Sequence, residues 1–170
     1  KDTLNYWYTP FEADSLNFII SQGDYSESYT LRPRNEEIDS LKISQSTNNL
    51  LHLIDTFSIE SNTPIIKLDK SKIKIIDKDT LQVDYSTFLS SSKNKLYINF
   101  EKKYKHEYNL EILPNALTDI YGISNDSIAV KLTTQTPEDY GVINLELLSS
   151  KNSAFIVELL DEKEMLVRTL

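Results

Sequence analysis

Single-residue alternation of apolar and polar side chains recurs nine times along this chain. Leu16, Phe18 and Ile20 alternate with Ser15, Asn17 and Ser21, and the pattern returns at 40–44, 72–75, 81–85, 95–101, 108–112, 128–133, 143–147 and 155–159. Successive side chains of a strand point to opposite faces, so each run predicts a strand with one buried and one wet face. Half-buried strands following one another predict antiparallel sheets packed face to face. Four Ala against 18 Ile and 13 Thr disfavour helix and suit a pleated surface.

Turn residues fall between the runs, at Gln22-Gly23-Asp24, Ser61-Asn62-Thr63-Pro64, Asp77-Lys78-Asp79, Ser90 to Asn94, Pro137-Glu138-Asp139 and Lys151-Asn152-Ser153. Two stretches are ambiguous. Leu50, Leu53, Ile54 and Phe57 fit a helical stripe, but the same residues read as a strand running into 56–59, and the strand reading is preferred among so many strands. Pro114 to Asp119 predicts a single helical turn, with Pro near its start and Gly122 beyond its end.

Charged or Pro-containing breaks at 32–37 and 136–139 divide the chain. Residues 35–137 have the length and strand count of an immunoglobulin-like antiparallel β-sandwich. Residues 1–34 and 138–170 hold two or three strands each, too few for a core of their own. The first is expected to be the C-terminal strands of a preceding β domain, or strands added to the sandwich. The last is expected to open a following small β domain. The chain begins at Lys1 rather than Met and holds no apolar run of 18 residues, which reads as a non-spanning piece of a longer protein.

Several chemistries are excluded by composition. Without Cys there is no disulfide, thiolate metal site or thiol nucleophile, and three Gly cannot write a phosphate-binding loop. A net charge of −8 lacks the basic footprint of a nucleic-acid binder. No cofactor and no metal are assigned. Asp77, Asp79, Asp119 and Asp126 read as turn residues rather than paired catalytic carboxylates. The loop from Asp119 through Asn125 and Asp126 carries oxygens suited to calcium but not the spacing of a calcium loop. His106, within Lys102-Lys103-Tyr104-Lys105-His106, is expected at a solvated hairpin end, and His52 as a structural residue among apolar neighbours. Neither has the partners of a Ser-His-Asp catalyst.

Aromatic residues are the better binding candidates. Tyr6, Trp7 and Tyr8 are expected in one strand, as are Tyr25 and Tyr29 in another, and exposed rings stack on sugar faces. Alternation places Trp7 opposite Tyr6 and Tyr8, so the competing expectation is that Trp7 fills the core.

Residues 113–122, Leu-Pro-Asn-Ala-Leu-Thr-Asp-Ile-Tyr-Gly, followed by Asn125-Asp126 before a final strand, resemble bacterial Ig-like domains of the S-layer (SbsA-type) class. Pro64 opening a strand, Leu81-Gln82-Val83 and Leu96-Tyr97-Ile98 extend the resemblance over about residues 36–137. The flanks, with Asp2-Thr3-Leu4-Asn5-Tyr6-Trp7-Tyr8, Asp14-Ser15-Leu16-Asn17-Phe18 and 155–163, are similar to parts of large Ig-like lipoproteins of Gram-negative cell surfaces. In these the Asp-Glu-Lys turn is usually followed by Gly, where this chain has Glu164. The resemblance implies a structural or adhesive module of the cell envelope, outer-membrane surface or periplasm. Its partner would be a cell-surface glycan or an envelope protein, and its oligomeric state is left open.

Asp followed by Ser or Thr and an aliphatic residue occurs at 2–4, 14–16, 39–41, 79–81 and 126–128, where composition alone predicts roughly one such triplet. A turn Asp leading into a strand accounts for the pattern. The triplet also resembles an O-glycosylation acceptor of Gram-negative envelope proteins, with the glycan on Thr3, Ser15, Ser40, Thr80 or Ser127. The reading is therefore a non-catalytic spacing, displaying or adhesive module, with a carbohydrate-binding module as its alternative.

Overall fold

The computed structural model describes residues 5–9, 12–32, 40–146, 148 and 155–169. Spatial contact divides the chain into two compact units, Lys1–Tyr140 and Gly141–Leu170. The first opens with the hairpin β1 (Leu16–Gln22) and β2 (Tyr25–Leu31). Its two-residue turn starts at Gly23, whose φ of 59° is the left-handed conformation that such hairpin turns reserve for Gly. Seven strands that build two larger sheets follow, with a two-strand ladder beside them: β3 (Ile43–Gln45), β4 (Phe57–Ser61), β5 (Ile65–Leu68), β6 (Ile73–Asp77), β7 (Tyr85–Leu89), β8 (Lys95–Phe100), β9 (Glu107–Ile112), β10 (Leu117–Asp119) and β11 (Ile128–Thr133).

One sheet has the order β3-β4-β8-β7 and the other β11-β9-β6, while β5 and β10 form the ladder between loops. Every pairing is antiparallel. In chain order this is the ABED and GFC arrangement of a constant-type immunoglobulin sandwich. Inward residues of both sheets, among them Phe57, Ile98, Ile75, Leu110 and Leu132, join one core with almost no exposure. Burying each contributes about 1.5–3 kcal/mol, which makes this alternation the main determinant of the fold.

The fold also carries a tyrosine corner. Tyr108, the second residue of β9 and 1% exposed, accepts a 2.8 Å hydrogen bond on its hydroxyl from the Lys103 amide, five residues upstream. Burial holds the Tyr108 phenol above its ordinary pKa. Leu110, two residues on, fills the place where antibody domains carry a disulfide-bonded Cys.

The 81–85 run is not a strand: Leu81 is exposed, Gln82 makes an isolated bridge to Ile76, and β7 starts at Tyr85. The inward set is Tyr85, Thr87 and Leu89, because Phe100, Ile98 and Leu96 of β8 lie opposite them. The 50–57 stretch is neither helix nor continuous strand. After β3 the chain crosses to the second sheet, where Leu50 bridges Thr133 in parallel and Leu51 inserts into the core. A turn closed by the Asp55 amide on the His52 carbonyl then leads toward β4. Residues 114–119 hold no helical turn. Asn115 takes a φ of 60° and the chain enters β10, where pairing with β5 buries Leu117 and Asp119.

In the second unit the alternation at 143–147 forms no strand over its described residues, which are exposed. Strands β12 (Glu158–Leu160) and β13 (Leu166–Thr169) pair as a small, exposed hairpin. The turn residues 151–153 lie outside the described residues.

Candidate functional site

Among the described residues, three loops are built alike from an Asp. Asp77, Asp119 and Asp161 each accept two backbone amides on Oδ1, from the second and fourth residues that follow. In each loop the third following residue donates its amide to the Asp carbonyl and sits in the left-handed region. That residue is Thr80 (φ 62°), Gly122 (φ 84°) or Glu164 (φ 60°). The carboxylate mimics a turn of backbone, which is why Asp recurs where strands end. Glu164 holds the position where the resembled family places Gly, and it does so in the conformation that favours Gly.

The loops differ at the second carboxylate oxygen. Oδ2 of the fully buried Asp119 accepts the Thr63 hydroxyl at 2.8 Å. Asn125 completes this corner, accepting the Leu117 amide and donating to the Leu113 and Asp126 carbonyls. The Asp119 and Asn125 side-chain oxygens considered for calcium are thus engaged by the protein itself.

At Asp77, Oδ2 instead lies 3.5 Å from Nε2 of His106, and both side chains are buried. The expectation of a solvated His106 is therefore corrected. The His106 amide donates to the Thr134 hydroxyl and its carbonyl accepts the Thr134 amide, which ties it into the corner before β9. Hydrogen bonds from the Leu81 and Asp79 amides, together with the nearness of the His106 imidazole, hold the Asp77 carboxyl below its ordinary pKa, against the opposing effect of burial. Asp79, exposed in the same turn, brings a third ligand-type atom, and the three lie within 4.8 Å of one another. His52 is exposed, its ring edge-on to Tyr140. The burial of His106 was hidden in the sequence by the three Lys around it. Its hint was parity: it shares a face with Tyr108, Leu110 and Ile112.

Residues 5–9 belong to no strand, so the expected alternation of Tyr6, Trp7 and Tyr8 does not apply. Tyr6 is exposed with its ring edge-on to Phe18, Trp7 is 39% exposed and outside the sandwich core, and Tyr8 is half-buried. Tyr25 and Tyr29 do share an exposed face of β2, with Glu27 between them accepting the Tyr29 hydroxyl. A further exposed aromatic, Phe88 on β7, stacks on Tyr97 of β8 with centroids 4.6 Å apart.

Thr3 lies outside the described residues. Ser15, Ser40, Thr80 and Ser127 are all exposed. Ser15 and Ser127 immediately precede β1 and β11, Ser40 shortly precedes β3, and Thr80 occupies the left-handed position of the Asp77 loop. No protein-family model matches the chain, and no curated protein matches it significantly. Among the described residues, no helix is long and apolar enough to cross a membrane.

Proposed function

We propose that this chain is a non-catalytic structural or adhesive Ig-like module of a cell-envelope protein, one that spaces or displays neighbouring domains. The observation that carries this reading is how the sandwich uses three of its buried polar groups. Asp119, Asn125 and Thr134 fasten loops to strands through hydrogen bonds rather than converging on an open cleft. A small pocket lined by Ile43, Ile59, Ile65, Leu96 and Leu117 has Glu60 as its single carboxylate. Paired-carboxylate chemistry needs two such groups across a cleft.

The extracytoplasmic placement and the S-layer-type kinship rest on the resemblance of residues 36–137 and of the flanks. O-glycans on Ser15, Ser40, Thr80 and Ser127 belong to the same reading, supported by the exposure of all four hydroxyl-bearing residues. Intact mass of the protein from its native host tests this, and an unmodified mass rejects it.

A carbohydrate-binding module is the second reading, favoured by the exposure of Tyr6 and Trp7. A saccharide array probed with the chain and with Trp7→Ala separates the two. No binding by either supports the spacing or adhesive module, whereas saccharide binding lost in Trp7→Ala replaces it with the second reading.

A further inference from the structure

We propose that Asp77, Asp79 and His106 form a binding site for a divalent cation of the zinc class, at the junction of the β6–β7 turn and the corner before β9. Asp77 ends β6, whose neighbour in the sheet is β9, and His106 immediately precedes β9. Sheet register therefore brings two ligand types together from positions 29 residues apart. Asp79 follows two residues after Asp77 and is exposed, so it forms the open side of the site.

The separation between Asp77 Oδ2 and His106 Nε2 decides how this pair is read. A charge-assisted hydrogen bond draws such atoms to about 2.7–2.9 Å. Two ligands on a tetrahedral zinc, each about 2.0–2.1 Å from the metal, stand about 3.4 Å apart. The observed 3.5 Å lies beside the second value.

An independent observation concerns His106 itself. Nε2 is buried and makes no hydrogen bond, one of two such side-chain atoms among the described residues. A buried polar atom without a partner is costly, and the corresponding Asp119 loop avoids that cost with the Thr63 hydroxyl. At Asp77, Oδ1 is already held by the Leu81 and Asp79 amides, which orient the carboxylate and leave Oδ2 toward the imidazole. Orientation of a ligand by a second set of hydrogen bonds is how protein metal sites are stiffened. An imidazole with two carboxylates suits zinc better than calcium, whose sites are built from oxygen alone. The bound cation would give Nε2 its missing partner and tie the β6–β7 turn to the tyrosine corner.

The test is calorimetric titration of the full chain with zinc chloride, alongside Asp79→Asn and His106→Gln. The expected result is one zinc per chain, weakened by at least about tenfold in each variant. Asp79 is exposed, so Asp79→Asn should melt in the absence of zinc as the parent does. Added zinc should raise the melting temperature of the parent and raise that of Asp79→Asn less. No saturable binding up to millimolar zinc overturns the proposal, and so does an unchanged affinity in either variant.

Discussion

Exchanging residues at the left-handed position of the equivalent Asp loops should move stability in opposite directions. Gly122 has a φ of 84°, and a Cβ added there would meet no atom within 4 Å. The cost of Gly122→Ala is therefore conformational. An L-residue in this region costs about 1–2 kcal/mol, and the loss of chain entropy in the unfolded state returns about 0.4–1 kcal/mol. The net expectation is a destabilisation of about 1 kcal/mol. Thr80 is the reverse case, a β-branched residue held at a φ of 62°. Thr80→Gly relieves the strain but frees the unfolded chain, for a net gain of about 0.5–1 kcal/mol. Urea unfolding of the two variants and the parent, with slopes compared, measures both changes. In thermal scans 1 kcal/mol corresponds to about 4 °C for a unit of this size. A neutral Gly122→Ala, or a Thr80→Gly that destabilises, would refute the view that backbone strain at this position limits the loop.

Asp119→Ala removes three acceptor contacts from a fully buried group, those from Thr63, Tyr121 and Ile123. Urea unfolding should show a loss of about 3–5 kcal/mol; a loss below about 1 kcal/mol means that the loop does not depend on its carboxylate. Tyr108→Phe keeps the buried ring and removes the acceptor of the Lys103 amide, which should cost about 1–2 kcal/mol in the same assay. The hydrogen bond donated to Glu27 is the first cause that pushes the exposed Tyr29 phenol up to about 12 from an ordinary 10.0. Its contribution to the hairpin is therefore complete below about pH 10 and lost as the pH rises through about 12. An NMR titration of the Tyr29 ring should show this late ionisation, and Glu27→Gln should bring it back toward the ordinary value.

Legibility in the sequence followed how local each interaction is. Alternation at 73–75, 96–100, 108–112 and 128–132 marked β6, β8, β9 and β11 because a strand with one buried face must alternate. Where a neighbouring strand decides the face, as at β7, local alternation placed the strand four residues too early. The 143–147 run alternates as clearly, but its described residues have no sheet to join. Burial of a side chain, not its spacing, makes a strand of this kind stable.

The chemistry divides in the same way. The turn Asp residues were legible because a carboxylate that accepts amides two and four residues ahead works within its own loop. The Asp77–His106 contact was not, since three neighbouring Lys made His106 read as solvated. By itself, the sequence determined an all-β chain of antiparallel sandwich type, with Asp at its turns and no thiol chemistry. Only the tertiary structure decided that β6 and β9 lie side by side, that 49–51 crosses from one sheet to the other, and that a buried imidazole faces a carboxylate at 3.5 Å. The physical reason is that strand patterning is set by the period of the backbone, whereas pairing across 29 residues is set by which strands share a sheet.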